Sequence, residues 1–346
     1  VSERWRLTAN ATLRSRNTFG VAATAQWLVE VEDAAALAEV FSLSQLQEHP
    51  PLVLGGGSNL LFAGNPLGAV LSLDMRRIAI LGDNDETALV RVDAGVEWHT
   101  LVLWTLRKGL MGMENLALIP GTTGAAPIQN IGAYGTEIGE FIQTVEAWDR
   151  SAGAIVRLDR ATCAFAYRDS LFKRTPDRYV VTAVEFILPK QRALKLDYAG
   201  IPEELRAMGV ASPTFRDVAE AVIRLRRRKL PDPALIGNAG SFFKNPIVPA
   251  AQADALQLQH AALPVYRGDD PGSRKISAAW MIEHCGWKGL REGDAGIAAS
   301  HALVLVNHGK ASGQQLLSLA RRIAGSVQAR FGVAIEPEPK IIGARW

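Results

Sequence analysis

Two glycine-rich segments constrain this chain more than any other feature: Leu54-Gly55-Gly56-Gly57-Ser58-Asn59-Leu60-Leu61 and Ile119-Pro120-Gly121-Thr122-Thr123-Gly124-Ala125-Ala126-Pro127-Ile128-Gln129-Asn130-Ile131-Gly132-Ala133-Tyr134-Gly135. Each follows an apolar stretch and strings small residues together with amides. Such backbone can approach a ligand closely and turn its N–H groups toward phosphate oxygens. Two of them predict an extended, diphosphate-containing cofactor gripped from two sides, with a dinucleotide as the first expectation. No G-x-G-x-x-G is present, so the common dinucleotide fingerprint is missing. Gly309-Lys310 is followed by Ala311, which removes the hydroxyl a P-loop needs.

A chain of 346 residues exceeds one ordinary domain, and two or three are expected. It holds no apolar run of about eighteen residues, so no transmembrane helix is expected. The opening Val1-Ser2-Glu3-Arg4-Trp5-Arg6 lacks the apolar middle of a signal peptide. Two cysteines, Cys163 and Cys285, are too few for a disulfide framework and fit a reducing, cytoplasmic setting. The net charge of +3 gives no mandate for nucleic acid. H-E-x-x-H and paired C-x-x-C are absent, and adjacent His284 and Cys285 would diverge on a helix, so no metal is expected.

The local pattern predicts strands at Trp27–Val31, Leu52–Leu54, Ala69–Leu73, Ile78–Leu81, Leu89–Val92, Thr144–Asp149, Ala154–Leu158, Tyr179–Leu188 and Ala302–Asn307. Helices are predicted from an Asp33 cap to Gln47, over Glu97–Lys108 before Gly109, and from a Thr214 cap to Lys229. Three more are predicted at Pro249–His260, Ser273–Cys285 and from a Ser312 cap to Phe331. A last extended segment covers Val333–Gly343. Strands and helices are partly segregated, so the class is α+β, and the best internal break lies in the Pro/Gly-rich Lys229–Gly237.

Three further clusters carry chemical options. In Gly237-Asn238-Ala239-Gly240-Ser241-Phe242-Phe243-Lys244-Asn245-Pro246, small residues leave the Ser241 hydroxyl open to a substrate, although on pattern alone this is a domain-entry turn. Ser241 has no G-x-S-x-G context, so it is no acyl-transfer nucleophile. Tyr167-Arg168-Asp169-Ser170 reads either as a surface guanidinium resting on a ring or as a fixed cation facing a developing anion. Pro339 forces Glu338 into extended backbone, which defines the carboxylate direction or simply stiffens a tail. The run Arg224–Lys229 complements a helix C-terminus and leaves at least one cation for an anionic ligand.

These segments, taken with Lys229–Pro233 and Glu338–Gly343, follow one another in the order found in a single family. From Asn17-Thr18-Phe19-Gly20 to Ile342-Gly343 the chain resembles the UDP-N-acetylenolpyruvoylglucosamine reductases, or UDP-N-acetylmuramate dehydrogenases, in their longer type marked by Tyr198. The resemblance implies a two-domain FAD-binding fold of the vanillyl-alcohol-oxidase type plus a third α+β substrate-binding domain. The expected division is residues 1–73 with 331–346, then 74–228, then 229–330. It implies a bacterial cytoplasmic flavoprotein of peptidoglycan precursor synthesis that reduces UDP-N-acetylglucosamine enolpyruvate with NADPH. No nucleic acid or membrane takes part, and a monomer is the expectation. Neither glycine segment contains His or Cys, so the FAD is expected to be non-covalent.

The same resemblance implies roles residue by residue. Cofactor contacts fall on Gly55, Gly56, Gly57, Ser58, Asn59 and Leu60, and on Ile119, Pro120, Gly121, Thr122, Thr123, Gly124, Ala125, Gln129, Asn130, Gly132, Ala133 and Tyr134. Hydride passes from NADPH to FAD and then to the enolpyruvyl methylene carbon. Arg168 and its carboxyl partner Glu338 match the groups that stabilise the resulting anion, and Ser241 matches the proton donor. Tyr167, Tyr198, Lys229 and Asn245 match substrate-binding positions. Pro339 stands where many relatives carry an aliphatic residue. Two other readings share parts of the pattern: a flavin oxidase of the same fold acting on a lactone or alcohol, and a non-catalytic UDP-sugar or flavin binder with a decayed site.

Overall fold

The strand Thr87–Asp93 alternates half-buried and buried residues, with Ala88, Val90 and Val92 turned inward, as a sheet with one packed face requires. In the computed structural model, which describes residues 4–268 and 270–346, this strand belongs to a five-stranded antiparallel sheet. The order is Ala154–Asp159, Ile142–Asp149, Tyr179–Pro189, Thr87–Asp93, Ile78–Asp83. Its inner face packs on the helices Trp98–Lys108 and Phe215–Lys229 through Trp98, Leu101, Val102, Val218 and Val222. Its other face carries paired charges. Arg91 bonds Glu146 at 2.7 Å, and Arg157 bonds both Glu146 and the buried Glu185 at 2.7 Å.

A second sheet orders Trp5–Thr12, Thr24–Val31, Ala69–Leu73 and Leu52–Val53. Its last three strands run parallel and bury Val29, Val31, Ala69 and Leu71. The chain divides into two units. The first takes the N-terminal segment through Ala11, Ala25–Gly56 and Leu67–Arg227. The second takes Thr12–Thr24, Gly57–Pro66 and Arg228–Trp346.

The second unit holds an antiparallel sheet in the order Gly237–Asn238, Leu305–Asn307, Ala295–Ile297, Arg291–Glu292. It also has a three-stranded sheet, Ile247–Pro249, Ser273–Ile276, Val265–Arg267, and a parallel pair that joins Leu60–Phe62 to Lys340–Ile342. The helix Gly313–Phe331 opens on a reciprocal Ser312–Gln315 capping box and closes on Gly332 at φ 66°.

Asn307 ties this unit together. Its amide donates to the Phe19 carbonyl at 2.9 Å, and its oxygen accepts from Gly309 and Ala311 at 2.9 and 3.0 Å, all behind a 3% exposed side chain. Asn307→Ala strands those buried groups and should destabilise the protein by about 3 kcal/mol. Urea unfolding checks this, and a loss below about 1 kcal/mol would mean that the turn re-pairs with water.

Four expectations need correction. The predicted helix from Asp33 to Gln47 is three short turns, Ala34–Ala36, Leu37–Val40 and Ser44–Leu46. Ser42 Oγ donates to the Glu39 carbonyl at 2.6 Å and Gln47 Nε2 to the Phe41 carbonyl at 2.6 Å, so side chains take the carbonyls that a continuing helix would use. Ser273–Ile276 is a strand rather than the start of a helix. Ser277 then caps Ala278–His284, with its hydroxyl accepting from the Trp280 N–H at 3.2 Å. The predicted strand Ala302–Asn307 is confined to Leu305–Asn307. Pro189 does not stop the Tyr179 strand one residue early, because as its last residue it needs no ladder N–H.

Candidate active site

Within the first unit the two glycine segments meet backbone to backbone. A methyl group on Gly56 would lie 2.9 Å from Gly121 Cα, and one on Gly55 would lie 2.6 Å from Thr122 Oγ1. Gly124 packs as closely on Ala94, where an added Cβ would fall 2.6 Å from the alanine Cβ. At Gly56, where the neighbour is backbone, only glycine allows this approach. The second segment is stapled to the start of the helix Trp98–Lys108. Trp98 N–H donates to the Gly121 carbonyl at 3.0 Å, Thr123 N–H and Oγ1 to the Val96 carbonyl at 2.8 and 3.0 Å, and Gly124 N–H to the Ala94 carbonyl at 2.9 Å. Thr123, Gly124 and Ala125 therefore spend these N–H groups on protein carbonyls, the last on Thr122 at 3.1 Å.

Asn130 is equally committed. Its amide donates to Glu137 at 2.7 Å and the Ala166 carbonyl at 3.1 Å, while its oxygen accepts from Gly139 at 2.8 Å. The buried side chain thus shapes the segment. Gly132–Ala133 and Thr136–Glu137 form a hairpin whose two turn residues, Tyr134 and Gly135, both have positive φ (49° and 79°), as a type I′ turn demands. Leu118, Asn130, Tyr134 and Arg168 all adopt left-handed backbone at φ 59°, 46°, 49° and 53°. At Leu118 and Arg168, which have neither an asparagine side chain nor a hairpin turn to favour it, this conformation costs on the order of 1 kcal/mol each.

Arg168 joins this segment directly, since its Nη2 donates to the Gly132 carbonyl at 3.0 Å. Its guanidinium lies 5.6 Å from the centroid of the Tyr167 ring. The Tyr198 ring, half exposed, meets Tyr134 edge to face at 5.1 Å. Arg226, whose Nε donates to the Leu118 carbonyl at 3.2 Å, has its ionisation pushed down by burial in a neighbourhood that includes Tyr134 and Arg168. It remains a cation at neutral pH.

In the second unit the backbone at Glu338 runs beside the segment that carries Ser241. The Glu338 N–H donates to the Phe242 carbonyl at 2.8 Å, and Phe243 bridges Pro337. Lys340, two residues on, pairs with Leu60 and donates to the Asn59 carbonyl at 3.0 Å, so the end of the first glycine segment shares this assembly. Glu336 is exposed and pairs with Lys244 at 3.4 Å, whereas Glu338 is half-buried. Gly57 sits where a Cβ would strike the Arg16 carbonyl, and Ser58 follows it. Asn245 Oδ1 accepts the first N–H of the helix Ala278–His284, from Ala278 at 3.0 Å. The exposed Lys229 has its carbonyl held by Ser300 Oγ at 2.9 Å. Neighbouring His301 is kept neutral by burial and by the Lys229 and Lys288 charges.

Residue patterns alone did not single out an open cavity of about 490 Å³ in the second unit, lined by Gln257, Tyr266, Arg267 and Arg274. Its signal, an aromatic among basic residues on two short antiparallel strands, is hidden because Ser273–Ile276 imitates a helix. Among the described residues, no group of three or more His, Cys, Asp or Glu side chains could hold a metal ion.

The mixed parallel and antiparallel sheets are those of an α+β protein, and the family matches make it an FAD-binding flavoprotein. Residues 25–159 match the family model of the FAD binding domain, and residues 232–342 that of the UDP-N-acetylenolpyruvoylglucosamine reductase, C-terminal domain. Over 342 residues the chain is 58% identical to the UDP-N-acetylenolpyruvoylglucosamine reductase of Xanthomonas axonopodis pv. citri, covering 99% of this chain and 98% of that one. The reductase of Xylella fastidiosa is also 58% identical, with 99% and 97% covered. The crystal structure of the Thermus caldophilus reductase is similar at a TM-score of 0.67 and 28% identity, over 98% of this chain and 99% of that chain. The chain belongs to the UDP-N-acetylenolpyruvoylglucosamine reductase family, with its vanillyl-alcohol-oxidase-type FAD-binding fold followed by the family's C-terminal domain.

Proposed function

We propose that this chain reduces UDP-N-acetylglucosamine enolpyruvate to UDP-N-acetylmuramate with NADPH, in the bacterial cytoplasm, as a step of peptidoglycan precursor synthesis. The observation that carries the reading beyond a generic flavoprotein is the bond from Glu338 N–H to the Phe242 carbonyl, which ties the strand of the expected acid to the segment of the expected proton donor. A flavin oxidase of the same fold has no use for that pairing. The meeting of Gly55–Gly56 with Gly121–Thr122 fits a diphosphate-bearing cofactor, because it leaves backbone rather than side chains at the surface of the cradle. When bound, FAD supplies a two-electron carrier between NADPH and the enol ether. With no His or Cys in either segment, it is held non-covalently.

Arg168 supplies a fixed positive charge for the anion that develops beside the substrate carboxylate, and its bond to the Gly132 carbonyl fixes its direction in advance. Glu338 shares that task. Ser241 Oγ delivers a proton to the carbanionic carbon, an acceptor basic enough for a hydroxyl to serve as acid. Tyr167, Tyr198, Lys229 and Asn245 hold the nucleotide sugar, Tyr198 in the manner of the family's longer type. The functional division we propose is residues 1–73 with 331–346, 74–228 and 229–330.

An anaerobic absorbance trace tests the reading. The yellow protein should bleach with NADPH and recolour only when UDP-N-acetylglucosamine enolpyruvate is added. A colourless protein that cannot be loaded with FAD would overturn it. Bleaching without recolouring would give the chain a different oxidant.

A further inference from the structure

Leu118 stands one residue before the Ile119–Gly135 segment, and at φ 59° it occupies a backbone region that a leucine avoids. Two side chains hold it there. His99 Nδ1, from the helix Trp98–Lys108, accepts the Leu118 N–H at 3.0 Å. Arg226 Nε, from the helix Phe215–Lys229, donates to the Leu118 carbonyl at 3.2 Å. Both polar groups of one strained peptide residue are thus taken by side chains of two different helices. The residues around it are anchored too: Trp98 Nε1 donates to the Leu116 carbonyl at 2.9 Å and Trp98 N–H to the Gly121 carbonyl at 3.0 Å.

The bond to Nδ1 fixes the imidazole chemistry. An acceptor nitrogen carries no proton, so the neutral ring has its hydrogen on Nε2. Burial and the facing cations Arg226 and Arg227 push the His99 ionisation down, which preserves that acceptor at neutral pH. We infer that His99 and Arg226 act as positioning residues, a two-sided clamp that keeps Leu118 left-handed and so presets the cofactor segment for FAD before FAD arrives. This rests on the reading of Ile119–Gly135 as FAD-holding backbone. Without the clamp, Leu118 relaxes to negative φ, the direction of the chain into Ile119 and Pro120 changes, and cofactor binding must rebuild the segment.

The test is FAD release on dilution of the holoprotein, followed by flavin fluorescence. His99→Leu should weaken FAD binding about tenfold. His99→Asn, whose Oδ1 lies as many bonds from the backbone as Nδ1, should stay within about twofold of the parent. Adding Leu118→Gly to His99→Leu should recover most of the loss, because glycine adopts positive φ without strain; a general packing defect would not be rescued in this way. In the parent holoprotein, nitrogen NMR should show His99 as the Nε2–H tautomer, a readout that needs no variant to fold. A protonated Nδ1, undiminished FAD affinity in His99→Leu, or a loss that Leu118→Gly leaves untouched would each overturn the clamp. A parent that retains no FAD at all would instead sink the underlying cofactor assignment.

Discussion

Ser241→Ala is expected to leave bleaching of the protein by NADPH nearly unchanged and to slow its recolouring by the enolpyruvyl substrate by a factor on the order of 10³. The split follows from what the substitution removes. Asn238 Oδ1 accepts the Gly240 N–H at 3.0 Å, Gly240 turns at φ 68°, and Phe242 N–H donates to the Leu303 carbonyl at 2.7 Å. The backbone on both sides of Ser241 is therefore fixed by groups that an alanine leaves in place, and only the hydroxyl is lost. Proton delivery to carbon is needed in the second half-reaction and in no part of the first. Stopped-flow absorbance separates the two, and equal loss in both would remove Ser241 from the role of proton donor.

Much of this was legible in the sequence because glycine and proline state their reasons locally. The Gly55–Gly56 and Gly121–Thr122 stretches read as backbone that comes close to a ligand, and the structure also packs the two stretches against each other, which the sequence does not announce. The helix Trp98–Lys108 ends at Gly109 with φ 73°, as the sequence requires. What remained hidden depends on distant partners. Ser273–Ile276 has helical spacing but pairs with Ile247–Pro249 and Val265–Arg267, a pairing no short window contains. Asn130 and Thr123 read as ligand contacts, and the sequence does not show that their side chains also bond Gly139, Glu137, Ala166 and Val96. An amide in a glycine loop looks the same in sequence whether it faces a cofactor or holds the loop that does. His99 carried no signal either, since its role arises only when a helix residue meets a loop residue of unusual φ.

The second large effect concerns the cradle itself. Gly56→Val should yield a folded protein that purifies colourless and binds FAD at least about 100-fold more weakly. A Cβ at Gly56 falls 2.9 Å from Gly121 Cα, 3.4 Å from Gly121 C and 3.5 Å from Gly121 N. All three are backbone atoms of a residue at φ 117°, with no flexible tip to swing aside, so the two glycine segments must separate. Gly55→Ala offers the contrast. Its Cβ would lie 2.6 Å from Thr122 Oγ1, a side-chain atom, and the next contacts are the ordinary 3.5 Å to Ala125 Cβ and 3.7 Å to Thr122 Cβ. The loss of FAD in Gly55→Ala should therefore be smaller and largely reversed by Thr122→Ala, which deletes that oxygen. Far-UV circular dichroism with FAD titration distinguishes this from general damage. A yellow Gly56→Val protein, or a Gly55→Ala defect that Thr122→Ala fails to relieve, would mean that the close approach of the two segments is not what holds the cofactor.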